Sequence, residues 1–158
     1  MANMFRQLKG GAVLAVTKKV AREWGIDCAR CAVVVSGHWV VDVSQTGNKG
    51  LLCLATHQDT LFTIVYDGRL PEPQELRVRI GLAAPWFALS TVGPFARNGN
   101  RRVTGSMRDM KLLASSVAMD GGTEREIQDL INKTPYSMLG MARPRDVVAA
   151  LAGDADTQ

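Results

Sequence analysis

Through the first two-thirds of the chain, apolar residues come in short runs broken by turn-forming residues, and in the last third they fall into helical spacing. Ala12 to Val16 is the first apolar run and predicts a buried strand. Behind it, Thr17 can cap a helix, Val20, Ala21 and Trp24 share one face and Gly25 is a stop, so a short helix follows. Runs over 31–35, 38–44, 51–56 and 60–66 are separated by Ser36-Gly37, by Thr46-Gly47-Asn48-Lys49-Gly50 and by His57-Gln58-Asp59. Within 38–44, Trp39, Val41 and Val43 alternate with His38, Val40, Asp42 and Ser44. Such runs predict an antiparallel meander.

Residues 76–89 fit two periods. Leu76, Val78 and Ile80 alternate with Arg77 and Arg79 as in a strand, while Leu76, Ile80, Ala83, Ala84 and Phe87 sit at helical spacing. Pro85 argues against one uninterrupted helix. Further on, the Gly105-Ser106 pair can turn the chain, with Ser106 capping a helix, Asp109 in its first turn, and Met107, Met110, Leu113, Ala114 and Val117 as its apolar stripe. Thr123 and Glu126 form a better capping box for a second helix through Ile127, Leu130 and Ile131. A Pro-containing loop and a last short helix over 144–152 complete the pattern. The tail from Gly153 onward is small and acidic and is expected to fray.

Length sets a single-domain expectation: 158 residues suffice for one core without disulfides or metals. Apolar residues at 46% and charged residues at 22% exclude a disordered tail or linker. No apolar run approaches the roughly twenty residues of a membrane span. Arg6 and Lys9 precede an apolar segment too brief for a secretory signal, and three cysteines are an odd number, so a cytoplasmic protein with reduced thiols is the expectation. The formal charge of +4 matters only where it clusters.

It clusters in residues 97–111, where Arg97, Arg101, Arg102, Arg108 and Lys111 surround the one acid, Asp109. Arginines beside a Gly-Ser turn that opens a helix are what an anion or phosphate would need, with Gly105 and Ser106 setting the backbone. Solvated arginines paired with Asp109, and Ser106 as a plain cap, are the alternative. A second candidate is metal binding: Cys28, Cys31, Cys53 and His57 are ligands of the kind zinc takes. Against it, Cys53 lies inside an apolar run and Cys31 begins another. Nucleophilic chemistry could draw on His38, His57 and the three cysteines as a Cys–His pair, but nothing in the sequence brings the members together. The aromatic interleaving of a single-strand platform is thin, with Trp39, Tyr66, Trp86 and Phe87 more suited to a core. No Walker loop or dinucleotide glycine fingerprint is present, and no cofactor is expected.

Arg101-Arg102-Val103-Thr104-Gly105-Ser106-Met107-Arg108-Asp109 resembles the Arg-Ser-Val-Leu-Gly-Ser-Met-Asn-Asp block of a family of small bacterial domains of unknown function. Val16-Thr17-Lys18-Lys19-Val20 is similar to that family's early Cys-Thr-Lys-Lys-Leu, and His38-Trp39 with Asn48-Lys49 falls where it has a Trp and a turn. The loop Asn132-Lys133-Thr134-Pro135-Tyr136-Ser137-Met138-Leu139-Gly140 is similar to its Asn-Arg-Thr-Pro-Cys-Ser-Pro-Leu-Gly. The resemblance implies one domain and a helix around 76–89. It marks Arg101, Gly105, Ser106 and Asp109 as shared positions, and it implies no activity. Arg102, Thr104 and Arg108 depart from the family's Ser, Leu and Asn.

Together these readings predict an α+β domain over 1–153 with a short acidic tail over 154–158. Its antiparallel sheet of about four or five strands is packed by helices mostly from the C-terminal third. The expected function is a non-enzymatic binding, regulatory or inhibitor protein, by analogy of the kind carried on phages and mobile elements, whose basic corner engages nucleic acid or an acidic protein surface. An enzyme acting on a phosphate-bearing substrate, nuclease-like or toxin-like, with His38 or Asp109 as acid or base, is the alternative. A homo-oligomer whose basic patch meets its own Asp154 and Asp156 is a third reading.

Overall fold

A computed structural model describes the backbone of residues 11–45, 50–85, 87, 89 and 94–156, and the side chains of all of these but 154–156. Arg6, Lys9, the Thr46 to Lys49 part of the predicted turn, and Trp86 lie outside the described residues. The first apolar run holds strand β1 (Leu14–Val16), entirely buried, and helix α1 (Lys18–Trp24) follows it, closed by Gly25 at φ 69° in the left-handed region that glycine tolerates. A 3₁₀ turn (Cys28–Arg30) leads to β2 (Ala32–Val34), β3 (Trp39–Gln45), β4 (Leu51–His57) and β5 (Thr63–Asp67).

Residues 76–83 follow the helical period in α2 (Pro73–Ala83), which starts with Pro in its first turn and stops before Pro85; Phe87 and Leu89 lie beyond it, outside the helix expected around 76–89. After it come β6 (Ala96–Asn98), α3 (Arg101–Met119), α4 (Glu124–Lys133), a 3₁₀ turn (Ser137–Leu139) and α5 (Pro144–Asp156), which continues past Gly153. The Thr123–Glu126 capping box of α4 forms as read.

The class is α+β, but the sheet is mixed rather than antiparallel and has six strands, in the order β2-β6-β1-β3-β4-β5. The meander β3-β4-β5 is antiparallel as expected. β1 runs parallel to β3, and β2 parallel to β6. A period of two tells that a segment is a strand without naming its neighbour, and β6, three residues of Ala-Arg-Asn, carries no strand pattern at all.

Helices cover both faces, and those on one face, α1 and α2, come from before the C-terminal third. Trp39, Val41, Val43, Cys53, Ala55 and Ile64 pack with Val20 and Ala21 of α1 and with Leu76 and Ile80 of α2. On the other face, Ala15, Val40, Leu52, Leu54 and Val65 pack with Val103, Met107, Met110 and Ala114 of α3 and with Ile127 and Ile131 of α4. β4 is therefore buried on both sides, which explains why Leu51 to Thr56 reads as a continuous apolar run.

At the β5 edge, α4 takes the place of a further strand. Thr63, Val65 and Asp67 donate their N–H groups to Asn132 Oδ1, Gln128 Oε1 and Glu124 Oε2, each at 2.9 Å. Four helical residues advance about 6 Å and two strand residues about 6.8 Å, so a polar side chain every fourth position of an antiparallel helix can follow every second N–H of a strand. Asn132 Nδ2 also donates to Thr63 O at 2.9 Å. From the other face, Arg79 of α2 reaches round this edge to Glu124 and Gln128 while lying over the Tyr66 ring.

Candidate functional site

The basic stretch is built differently from its sequence expectation. α3 begins five residues before Ser106, capped by Asn100, whose Oδ1 accepts the N–H groups of Arg102 and Val103 at 3.0 and 3.2 Å. Val103 is buried and carries the apolar stripe of Met107, Met110 and Ala114 one turn further back, a signal that the sequence held and that the Gly-Ser pair obscured. Gly105 and Ser106 are helix interior, neither turn nor cap, and Ser106 Oγ donates to Arg102 O at 2.9 Å. Asp109 lies well beyond the first turn. The helix start is accordingly no open cradle of N–H groups, because Asn100 occupies two of them.

Around Asn100 the chain gathers amides that the sequence did not single out. Gln58 Nε2 donates to Val34 O (3.0 Å) and to Asn98 Oδ1 (2.9 Å), and its Oε1 accepts His38 N–H (3.3 Å). Asn98 Nδ2 donates to Asn100 O and Thr104 Oγ1, and Asn100 Nδ2 to Val35 O. This network locks the end of β2, the turn into β3, the end of β4 and the start of α3 together. Beside it, Asp59 accepts Gly37 N–H at 2.6 Å, and burial raises its pKa against the pull of that bond.

The cations separate into two kinds. Lys111 Nζ is bound to Asp42, which also accepts from Thr17 Oγ1, so Lys111 belongs to the packing of α3 on β3 and leaves the predicted basic corner. Arg97 Nε donates to Cys31 O at 3.3 Å. Arg101, Arg102 and Arg108 are exposed, and none forms an ion pair among the described residues, while Arg30, Arg69, Arg79, Arg143 and Arg145 all meet acids. The first turn of α3 holds no acid, so Arg101 and Arg102 stand at the positive end of its dipole.

The other candidate groups stay apart. Among the described residues no three His, Cys, Asp or Glu side chains gather where a metal could sit. Cys28 donates to Val16 O and Cys31 to Asp27 O, while Cys53 is buried, its thiol pushed up to about 12 chiefly by desolvation. His57 is buried in a stack on Phe87 (centroids 4.1 Å apart) with Trp39 edge-on at 5.2 Å, and its Nδ1 accepts Thr60 N–H. Desolvation, helped by nearby His38, lowers its pKa to about 3. The indole Nε1 of Trp39 is a buried donor with no partner among the described residues.

His38 Nδ1 accepts the N–H of Val13 at 3.0 Å, which leaves Nε2 to carry the proton, and burial lowers its pKa. Asp109 lines a shallow groove of about 410 Å³ with Leu112, Leu113, Ser116, Thr134, Pro135 and Tyr136; His38 is not part of it. The structure thus brings His38 beside the amide network and leaves Asp109 on the helix flank. No protein-family model and no curated protein matches the chain.

Proposed function

We propose that this chain is a binding protein whose basic corner, Arg101, Arg102 and Arg108 on α3 with Arg97 beside them, engages an acidic partner. The supporting observation is the clustering of unmatched arginines: Arg101, Arg102 and Arg108 stand exposed on one helix without an ion pair among the described residues, with Arg97 beside them, whereas the other unmatched arginines, Arg22, Arg77 and Arg125, lie apart on α1, α2 and α4. Arg101 and Arg102 stand where a helix favours negative charge, so an incoming carboxylate or phosphate would meet both the guanidinium groups and the dipole. The amide network behind Asn100 holds this corner to the sheet, which limits the ordering that binding would require.

The test is salt-dependent binding of the purified protein to single-stranded DNA, to RNA and to polyglutamate, compared with an Arg101→Ala/Arg102→Ala/Arg108→Ala variant shown to be folded by circular dichroism. Affinity that falls steeply with salt in the wild type, and is lost in the variant, is the expected result. A wild type that binds none of the three at low salt overturns the reading.

A further inference from the structure

β2 closes the sheet at the end opposite β5, and its backbone is turned to solvent. Val34 O accepts Gly99 N–H at 2.7 Å, so Val34 faces β6 and the alternation of a strand turns the N–H and C=O of Val33 outward, where no further strand lies among the described residues. Val33 and Val35 are each 56% exposed. Both lie against Gly99, where an added Cβ would come within 2.5 Å of Val33 Cγ1 and 3.2 Å of Val35 Cγ1. Residues 31–35 hold no proline and no charge, the usual means of blunting an edge. Side chains hold the flanking carbonyls, Cys31 O by Arg97 and Val35 O by Asn100, and so bring the basic corner alongside the edge.

Building on a basic corner that engages an acidic partner, we propose that the β2 edge accepts an extended acidic segment of a partner protein as an added strand. The Val33 N–H and C=O would pair with the segment's backbone, its apolar side chains would cover Val33 and Val35, and its carboxylates would reach Arg101 and Arg102. A nucleic acid has no ladder to offer these groups. A second copy of the chain would bring Arg97, Arg101 and Arg102 of both molecules together across the joined edges, with a net charge of +4 on each. Carboxylates remove that repulsion, and backbone pairing calls for a polypeptide.

The probe is a short blocked peptide alternating glutamate with valine, set against the same peptide N-methylated at alternate residues and a single-stranded oligonucleotide of equal charge. Binding is read by fluorescence anisotropy, and hydrogen exchange of the Val33 and Val35 amides by NMR. The expected result is peptide binding that protects both amides, weakens at least about tenfold with Val33→Lys, and is absent for the N-methylated peptide. Val33→Pro, which removes the outward N–H, should act in the same direction. Arginine-dependent binding of the N-methylated peptide equal to that of the parent, with Val33 unprotected, overturns strand addition and leaves the basic corner standing. So does binding of the oligonucleotide without the peptide. Binding by none of the probes overturns both.

Discussion

At one end of the sheet, β5 gives its outward N–H groups to Asn132, Gln128 and Glu124 of α4, with Arg79 closing over them from the other face. At the other end, β2 keeps Val33 facing solvent, while side chains hold the carbonyls around it: Cys31 O by Arg97, Val34 O by Gln58 and Val35 O by Asn100. The first edge has become interior: Thr63 to Tyr66 are buried, and the helix beside them cannot leave without exposing unpaired backbone. The second remains surface. Among the described residues, polar side chains of a helix seal one edge of the sheet and leave the outward N–H of Val33 at the other without a partner.

The largest expected effect undoes both edges together. His57 sits beneath Trp39 and Phe87 in the interior they share, and its folded pKa, about 3, lies below its ordinary 6.5. The unfolded chain therefore takes the proton first, so this contribution to stability is complete above about pH 6.5 and is lost as pH falls toward 3, by several kcal/mol in all. Denaturant titrations at stepped pH should show that slope, and His57→Phe should flatten it. A wild type and variant with parallel pH profiles would remove His57 from the account.

Next in size is the sealed edge alone. Asn132→Leu leaves the N–H and C=O of Thr63 buried and unpaired, and should cost about 2 to 4 kcal/mol in chemical denaturation. Gln128→Leu should cost less, and Glu124→Leu least, because the ladder runs from the buried Thr63 to the exposed Asp67. Equal losses at the three positions would show that the seal is not what stabilises this end.

At the open end the effects on stability should be small. Arg101→Glu and Arg102→Glu place carboxylates at the positive end of α3 and should raise stability by about 0.3 to 1 kcal/mol each at low salt, fading as salt is added, while weakening polyanion binding. Val33→Lys should change stability by no more than about 0.5 kcal/mol, since both side chains are solvated on an edge. A large loss from Val33→Lys in thermal unfolding would mean that β2 belongs to the core after all, and the contrast between the edges would fall.

Much of the local structure was legible. Gly25 ends α1, the Thr123–Glu126 box opens α4, and the alternation of Trp39, Val41 and Val43 marks β3, because capping and pleating act between residues a few positions apart; Thr17 stands at the start of α1 but gives its hydroxyl to Asp42 rather than to the helix. The start of α3 at Asn100 is a local signal too, since Asn98-Gly99-Asn100 turns the chain, Asn is a strong cap and buried Val103 continues the stripe; the Gly105-Ser106 pair with its neighbouring arginines competes with it. At the site, the arginines were visible as a cluster, but which of them are free was not. Asp42, partner of Lys111, stands 69 residues away in the chain.

By itself the sequence determined the Gly25 stop, the Thr123–Glu126 box, the strand runs of β1 to β5, the β3-β4-β5 meander and the concentration of arginines around α3, all consequences of local sterics, periodicity and charge. Tertiary structure alone decided that β1 pairs with β3 and β2 with β6, that helices cover both faces, and that Lys111 is held while Arg101, Arg102 and Arg108 have no ion pair among the described residues. It alone decided which edge is closed: Glu124, Gln128 and Asn132 are an ordinary polar stripe until α4 is laid antiparallel to β5, when their rise matches the spacing of its outward N–H groups. Contacts between distant segments follow from how faces fit in space, and no residue carries that information in its own neighbourhood.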